Sequence, residues 1–265
     1  MRFLRSEVGN VLMKFCEKPE HAKGILEGHI YMKESGYFRR LENGFRGDPY
    51  DGRILVQEEY KKVPITYRDG TTYEVQLMSD DIYGLPNDDK IPIFCATQLD
   101  ESIIDSISDS MGVFCEEFKR EISQFGRYAV CISVDEFLKK SDCYVAEKEL
   151  CYQFGKITYI NYADIFPPTV YKENVSRRLQ QFSGMIYKHS GEIIEGYYAD
   201  TSELSLFQKN TSYAWQNEWR FVLKNDKNDI IPETQDYHVM SVGKFESGRT
   251  CETKDIINAT IDLTQ

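Results

Sequence analysis

Nowhere in this 265-residue chain do as many as about 18 apolar residues run together, so a membrane-spanning helix is not expected. The opening Met1–Phe15 has a short apolar run broken by Glu7, Gly9, Asn10 and Lys14, which does not suit a signal peptide. A cytoplasmic location is therefore expected. Basic residues are in the minority, 32 Lys and Arg against 43 Asp and Glu, for a formal charge of −11. General affinity for a nucleic acid backbone comes from Lys and Arg displacing counterions, so it is not expected here. A local basic patch is still open, for instance around Arg39, Arg40, Arg46 and Arg53.

Close cysteine pairs are also lacking. The seven cysteines stand at 16, 95, 115, 131, 143, 151 and 251, a spacing that fits neither zinc ribbons nor CxxC redox motifs. Cys95 in IPIFCAT and Cys131 in YAVCISV have apolar surroundings and read as reduced, buried thiols. His21, His29, His189 and His238 are too scattered to form a recognisable metal set, and no metal is expected. There is no Walker loop, no GxGxxG after a strand, no HExxH and no GxSxG. Without internal repeats or low-complexity tracts, a single domain over 1–265 is the expectation.

What is present suits a folded protein: 41% hydrophobic, 28% charged and 13% aromatic residues lie far from the composition of disorder. The opening reads as helix, turn, helix, strand, with Pro19 in a first helical turn, Gly28 as a cap and HIYMK alternating as a strand. The stretch Glu34–Gly52 reads as a loop rich in aromatics and arginines. RILVQEEY, TTYEVQLM and IPIFCAT read as strands, with Asp69-Gly70 turning the first two into a hairpin.

Ile103, Ile107, Met111, Phe114 and Phe118 fall on one helical face, predicting a helix from about Ser102 to Gln124. RYAVCISV reads as a strand followed by a helix capped at Asp135, and KITYINYADI as another strand. A helix is expected near 168–189, a helical turn in ELSLFQK, and terminal strands in DYHVMSV and NATIDL. About seven strands and three or four helices in no regular βαβ order give an α+β class with a mixed, mostly antiparallel sheet.

Three segments carry candidate chemistry. In YAWQNEWRFVL, alternation puts Gln216, Glu218 and Arg220 on one side and Trp215, Asn217, Trp219 and Phe221 on the other. With the tryptophan side in the core, the other side becomes the polar floor of a site; the plainer alternative is a cross-strand ion pair on a wet face. The turn Gly47-Asp48-Pro49-Tyr50-Asp51-Gly52 places two carboxylates beside Arg46, though Asp in such turns most often bonds its own backbone amides. His29, in the strand after Gly28, reads either as a packed or surface histidine or as a site residue, depending on what stands near it.

The order of these pieces resembles a large bacterial family. Its marks are Leu26-Glu27-Gly28-His29-Ile30-Tyr31, the Gly47-Asp48-Pro49 loop, Cys95 in a central strand, Phe207-Gln208-Lys209, and Trp215 with Glu218, Trp219 and Arg220. The likeness covers most of residues 20–225, with Gly47 where Asn is common and a polar insertion around Val56–Asp89. The family in turn is similar to the ADP-ribosyltransferase superfamily, including DNA-modifying toxins, whose last motif is a strand bearing a catalytic glutamate in a Gln-x-Glu form. Gln216-Asn217-Glu218 matches that form.

The resemblance implies an ADP-ribosyltransferase-like fold and an NAD-using transferase or NAD glycohydrolase, an effector in toxin or phage-defence systems. It implies Glu218 and Gln216 as catalytic residues, because a carboxylate stabilises the oxocarbenium-like state formed as the nicotinamide–ribose bond breaks. NAD would be held by His29 or by the arginines Arg39 and Arg46, with Tyr31 or Tyr50 stacking on nicotinamide and Asp48 and Arg220 completing the set. Two alternatives stay open. One is a non-catalytic sensor module that binds a protein or a small ligand. The other is a nuclease holding Mg²⁺ with Asp48, Asp51 and Glu218.

Overall fold

In a computed structural model of the chain, the structure describes residues 1–41, 54–55, 62–66, 72–76, 82–83, 90–160, 206–225 and 236–264. It is a mixed α and β structure with several antiparallel sheets, in line with the α+β class. It forms two compact units, the first built from residues 1–37, 89–157 and 212–265, the second from 38–88 and 158–211.

The chain begins with β1 (Arg2–Phe3), β2 (Val11–Cys16), α1 (Pro19–Leu26), β3 (His29–Glu34) and α2 (Ser35–Arg40). Short strands follow: β4 (Ile54–Leu55), β5 (Lys62–Thr66), β6 (Thr72–Gln76) and β7 (Ile82–Tyr83). Next come β8 (Pro92–Gln98), β9 (Ile104–Ser108), β10 (Met111–Phe114), α3 (Glu116–Ile122), β11 (Tyr128–Ser133) and α4 (Val134–Lys148). Then follow β12 (Leu150–Lys156), β13 (Thr158–Ile160), β14 (Gln208–Asn210) and β15 (Glu218–Asn225). The last elements are β16 (Tyr237–Ser241), β17 (Arg249–Glu252), α5 (Thr253–Ile257) and β18 (Thr260–Asp262).

The first unit is organised by an eight-stranded antiparallel sheet in the order β12-β15-β8-β2-β11-β17, with β3 also pairing β8 and β16 pairing β3. One edge of β8 lies along β15. The other is shared: β2 takes its end at Gln98 and Thr97, and β3 takes its start at Ile93 and Pro92. The sheet therefore forks between β2 and β3.

Side chains alternate across a strand, and both faces of this sheet are used. One carries Leu12, Ile30, Met32, Phe94, Ala96, Val130, Ile132, Trp219, Phe221 and Leu223, closed by α1 and by Phe137 of α4. Phe137 stacks on Phe94 at 5.4 Å and meets Phe221 and Trp219 edge-on at 5.2 and 5.6 Å. On part of the opposite face Met13, Ala129 and Cys131 build a second core with Phe3, Phe114, Phe118, Ile122, Ile256 and Ile261. Those last residues belong to α3, α5 and a four-stranded sheet in the order β1-β18-β10-β9, whose β1–β18 pair is parallel.

Among the described residues, the second unit contains three strand pairs: β4 with β7 and β5 with β6, both antiparallel, and β13 with β14, parallel.

Several local expectations are corrected. The first 16 residues supply β1 and β2 rather than a helix, because Val11, Leu12 and Met13 are all buried, which a sheet with cores on both faces can use. The predicted helix over 102–124 is a β9–β10 hairpin followed by the short α3. Ile107 and Met111 of its supposed apolar stripe are 56% and 40% exposed, and a Cβ on Gly112 would meet Ile104 Cγ2 at 2.7 Å.

The partner of β6 is Lys62–Thr66, not Arg53–Tyr60. The cap of α4 is Ser133, whose Oγ accepts from Glu136 N at 3.3 Å, with Asp135 inside the first turn. Gln208–Asn210 is a strand and not helical. The helix expected near 168–189 lies outside the described residues. As expected, α1 begins at Pro19, and Gly28, at φ +89°, leads into β3 against the backbone of Gly243.

Candidate functional site

The tryptophan segment is not one continuous strand. Residues Thr211–Gln216 form a 3₁₀ turn, and Asn217 sits in the left-handed region at φ 40°, a conformation that Asn tolerates better than most residues. Gln216 is buried at this corner rather than on the strand face with Glu218, and Trp215 tilts against Phe125 at 5.2 Å instead of joining Trp219 in the core. The alternation expected from residue 215 onward begins only at Glu218.

The corner is tied to β8. Asn217 Nδ2 donates to Gln98 O at 2.7 Å, and Gln98 N donates to Asn217 O at 3.0 Å. This sets the register that follows, Glu218 beside Thr97, Arg220 beside Cys95 and Val222 beside Ile93. Glu218 and Arg220 therefore share the face opposite Trp219 and Phe221.

On that face Arg220 Nε donates to Glu218 Oε1 at 2.5 Å, and the two side chains are only 1% and 7% exposed. Ionised groups removed this far from water keep their charge only when paired, and a charge-assisted hydrogen bond within an ion pair is the strongest form of that pairing. Burial pushes the Cys95 thiol well above its usual range, and the Glu218 carboxylate, to which it donates, pushes it further. A thiol held protonated is a poor nucleophile.

The fork in the sheet is filled from β2. Lys14 Nζ donates to Cys95 O at 2.6 Å and lies 5.2 Å from the Phe94 ring. At the end of β8, Gln98 Nε2 donates to Gly9 O at 2.5 Å, while its buried Oε1 has no hydrogen-bond partner among the described residues. Farther along β15, Lys224 Nζ donates to Gln153 Oε1 at 2.8 Å.

The remaining candidates are placed as follows. Through Lys33 opposite Ile93, register puts His29, Tyr31 and Lys33 on the same sheet face as Cys95, Glu218 and Arg220. His29 lies at the end of β3 away from the β8 pairing; it is exposed, with Nδ1 3.4 Å from Ser241 Oγ. Tyr31 is 45% exposed and stacks on Tyr237 at 4.9 Å. Lys33 Nζ sits 5.6, 4.7 and 5.8 Å from the rings of Tyr31, Tyr37 and Tyr237 and bonds Asp236 at 2.8 Å. Burial alone would lower its pKa, but the hydrogen bonds with Asp236 and Tyr31 win and raise it.

Arg46, Asp48, Tyr50 and Asp51, with the side chain of Arg39, lie outside the described residues. Among the described residues no group of three or more His, Cys, Asp or Glu is arranged to hold a metal. No described helix is long and apolar enough to cross a membrane.

Lys14, Gln98 and Tyr237 were not singled out from sequence. Cys95 was read as a reduced thiol in a central strand, and its place beside Arg220 depends on pairing across more than a hundred residues.

Compared with protein-family models, curated proteins and solved structures, the chain matches none.

Proposed function

We propose that the chain is a recognition module in which Glu218 and Arg220 build the sheet, while the outward face of the β3–β16 ribbon meets a polypeptide partner. The carrying observation is the chemistry of that ribbon. Tyr31 and Val239 stand opposite each other at 45% and 40% exposure, flanked by Tyr237 and Lys33 on one side and His29 and Ser241 on the other. Tyrosine supplies large, amphipathic contact area at low conformational-entropy cost and is enriched at protein interfaces. A photo-crosslinking residue at Val239 should give a discrete adduct in cells that Tyr31→Ala abolishes, while one at the exposed Ile107 gives none. The same adducts from both positions would refute this reading.

A second reading, an NAD-using ADP-ribosyltransferase-like or NAD-glycohydrolase-like effector with that superfamily's fold, is favoured by one observation. Glu218 and Arg220 occupy the same sheet face as His29 and Tyr31. In this reading Glu218 exchanges Arg220 for the developing charge on the ribose, and Tyr31 stacks on nicotinamide. Nicotinamide release from NAD by the wild-type chain, lost in a folded Glu218→Gln variant, would establish it over the first.

A further inference from the structure

Two thiols far apart in sequence meet in the sheet. Strands β11 and β17 pair with Ala129 opposite Cys251 and Cys131 opposite Arg249, so Cys131 and Cys251 are diagonal neighbours on one face. The two thiols are close enough to bias each other's protonation. Cys131 is only 2% exposed, whereas Cys251 is partly exposed at the margin of the second core.

Beside them stands Arg249. Its Nη1 pairs with Glu7 at 2.7 Å and its guanidinium carbon lies 5.0 Å from the Phe3 ring, yet its buried Nη2 has no hydrogen-bond partner among the described residues. A guanidinium with an unused N–H next to a partly buried thiol favours the thiolate, and a second thiol within reach can resolve whatever forms on the first. The neighbouring Cys131 thiol lowers the Cys251 pKa and outweighs burial and the Asp255 carboxylate, which raise it, with Arg249 adding to the lowering; for Cys131 its partner thiol and then burial raise the pKa.

We propose that Cys131 and Cys251 form a dithiol that exchanges with small disulfides, Cys251 attacking and Cys131 resolving. In the first step the Cys251 thiolate displaces one thiolate from a low-molecular-weight disulfide such as oxidised glutathione and forms a mixed disulfide. In the second, Cys131 gives up its proton and its sulfur attacks Cys251 Sγ, expelling the other small thiol. The balance is two protein thiols and one small disulfide giving one protein disulfide and two small thiols. The product ties β17 covalently to β11 at the end of the eight-stranded sheet.

The test treats the full chain with oxidised glutathione, blocks the remaining thiols and maps peptides without reduction. A Cys131–Cys251 linked peptide is expected, with both thiols lost together, while the exposed Cys143 carries at most a glutathione adduct. In Cys131→Ser, glutathione should remain on Cys251 because nothing resolves it. Reaction at Cys143 with Cys131 and Cys251 still reduced would overturn the proposal. So would an unmodified Cys251 in a Cys131→Ser variant shown by circular dichroism to be folded. If that variant fails to fold, the wild-type map alone decides.

Discussion

The two faces of the β8–β15 pair are made from alternate residues of the same strands, yet they are held in opposite ways. On one, Phe94, Ala96, Trp219 and Phe221 surround Phe137, and their stability comes from apolar area withdrawn from water. On the other, Glu218 and Arg220 are just as dry, with the half-buried Cys95 beside them, but they are held by a charge-assisted bond within an ion pair. An apolar face loses stability in proportion to the atoms removed. A buried ion pair loses it abruptly when either partner goes, because the survivor is left charged and unpaired. The comparison is therefore between a graded surface and a brittle one.

The largest effect that sharpens this contrast belongs to the apolar face. Phe137→Ala removes the ring that touches Phe94, Trp219, Phe221 and Phe245 and should cost about 3–5 kcal/mol in urea unfolding. A loss below about 1 kcal/mol would mean that this face is not the principal core. Ser133→Ala, which removes the cap of the helix carrying Phe137, should cost about 1 kcal/mol. Asp135→Ala should leave the Ser133 cap bond in place.

A smaller effect comes from carboxylates around the helix. Burial alone would raise the pKa of Glu136, but hydrogen bonds from the Ser247 hydroxyl and from the amides of Glu246 and Ser247 hold it below the usual range. Asp100 behaves alike, burial being outweighed by Lys156 and Ser102. A depressed carboxylate contributes stability that is present above its unfolded value, roughly 4, and lost as pH falls through the folded one. Unfolding free energy should thus decline on acidification below about pH 4, and Glu136→Gln should flatten that decline. An equally steep profile in the variant would remove Glu136 as a contributor. Smallest of all, Tyr31→Ala on the exposed ribbon should change stability by only about 0.5 kcal/mol or less.

The sequence made the alternation of β15 legible from Glu218 onward, along with the Trp219–Phe221 core, α1 with its Pro19 start and Gly28 turn, and the strands β3, β8, β11, β16 and β18. It could not reveal that Asn217 would adopt a left-handed conformation, since local alternation continues smoothly through Trp215 and Gln216. It also misled at Ile103–Phe118, where apolar spacing mimics a helix. The hairpin there is specified by pairing of β10 with β18 from the far end of the chain. The turn residues Ser108, Asp109 and Ser110 were the available signal. Register, which places Cys95 beside Arg220, Tyr31 opposite Val239 and Cys131 next to Cys251, is a long-range property that no local pattern specifies.

The central claim, that Glu218 is a structural partner of Arg220, is tested most directly by a double-mutant cycle on unfolding free energy. Glu218→Leu and Arg220→Met should each cost about 3–5 kcal/mol, whereas the two together should recover most of that loss, because an apolar pair of similar volume replaces a buried ion pair with little penalty. Full stability in the Glu218→Leu variant, together with loss of nicotinamide release from NAD, would contradict the account and make Glu218 a catalytic residue.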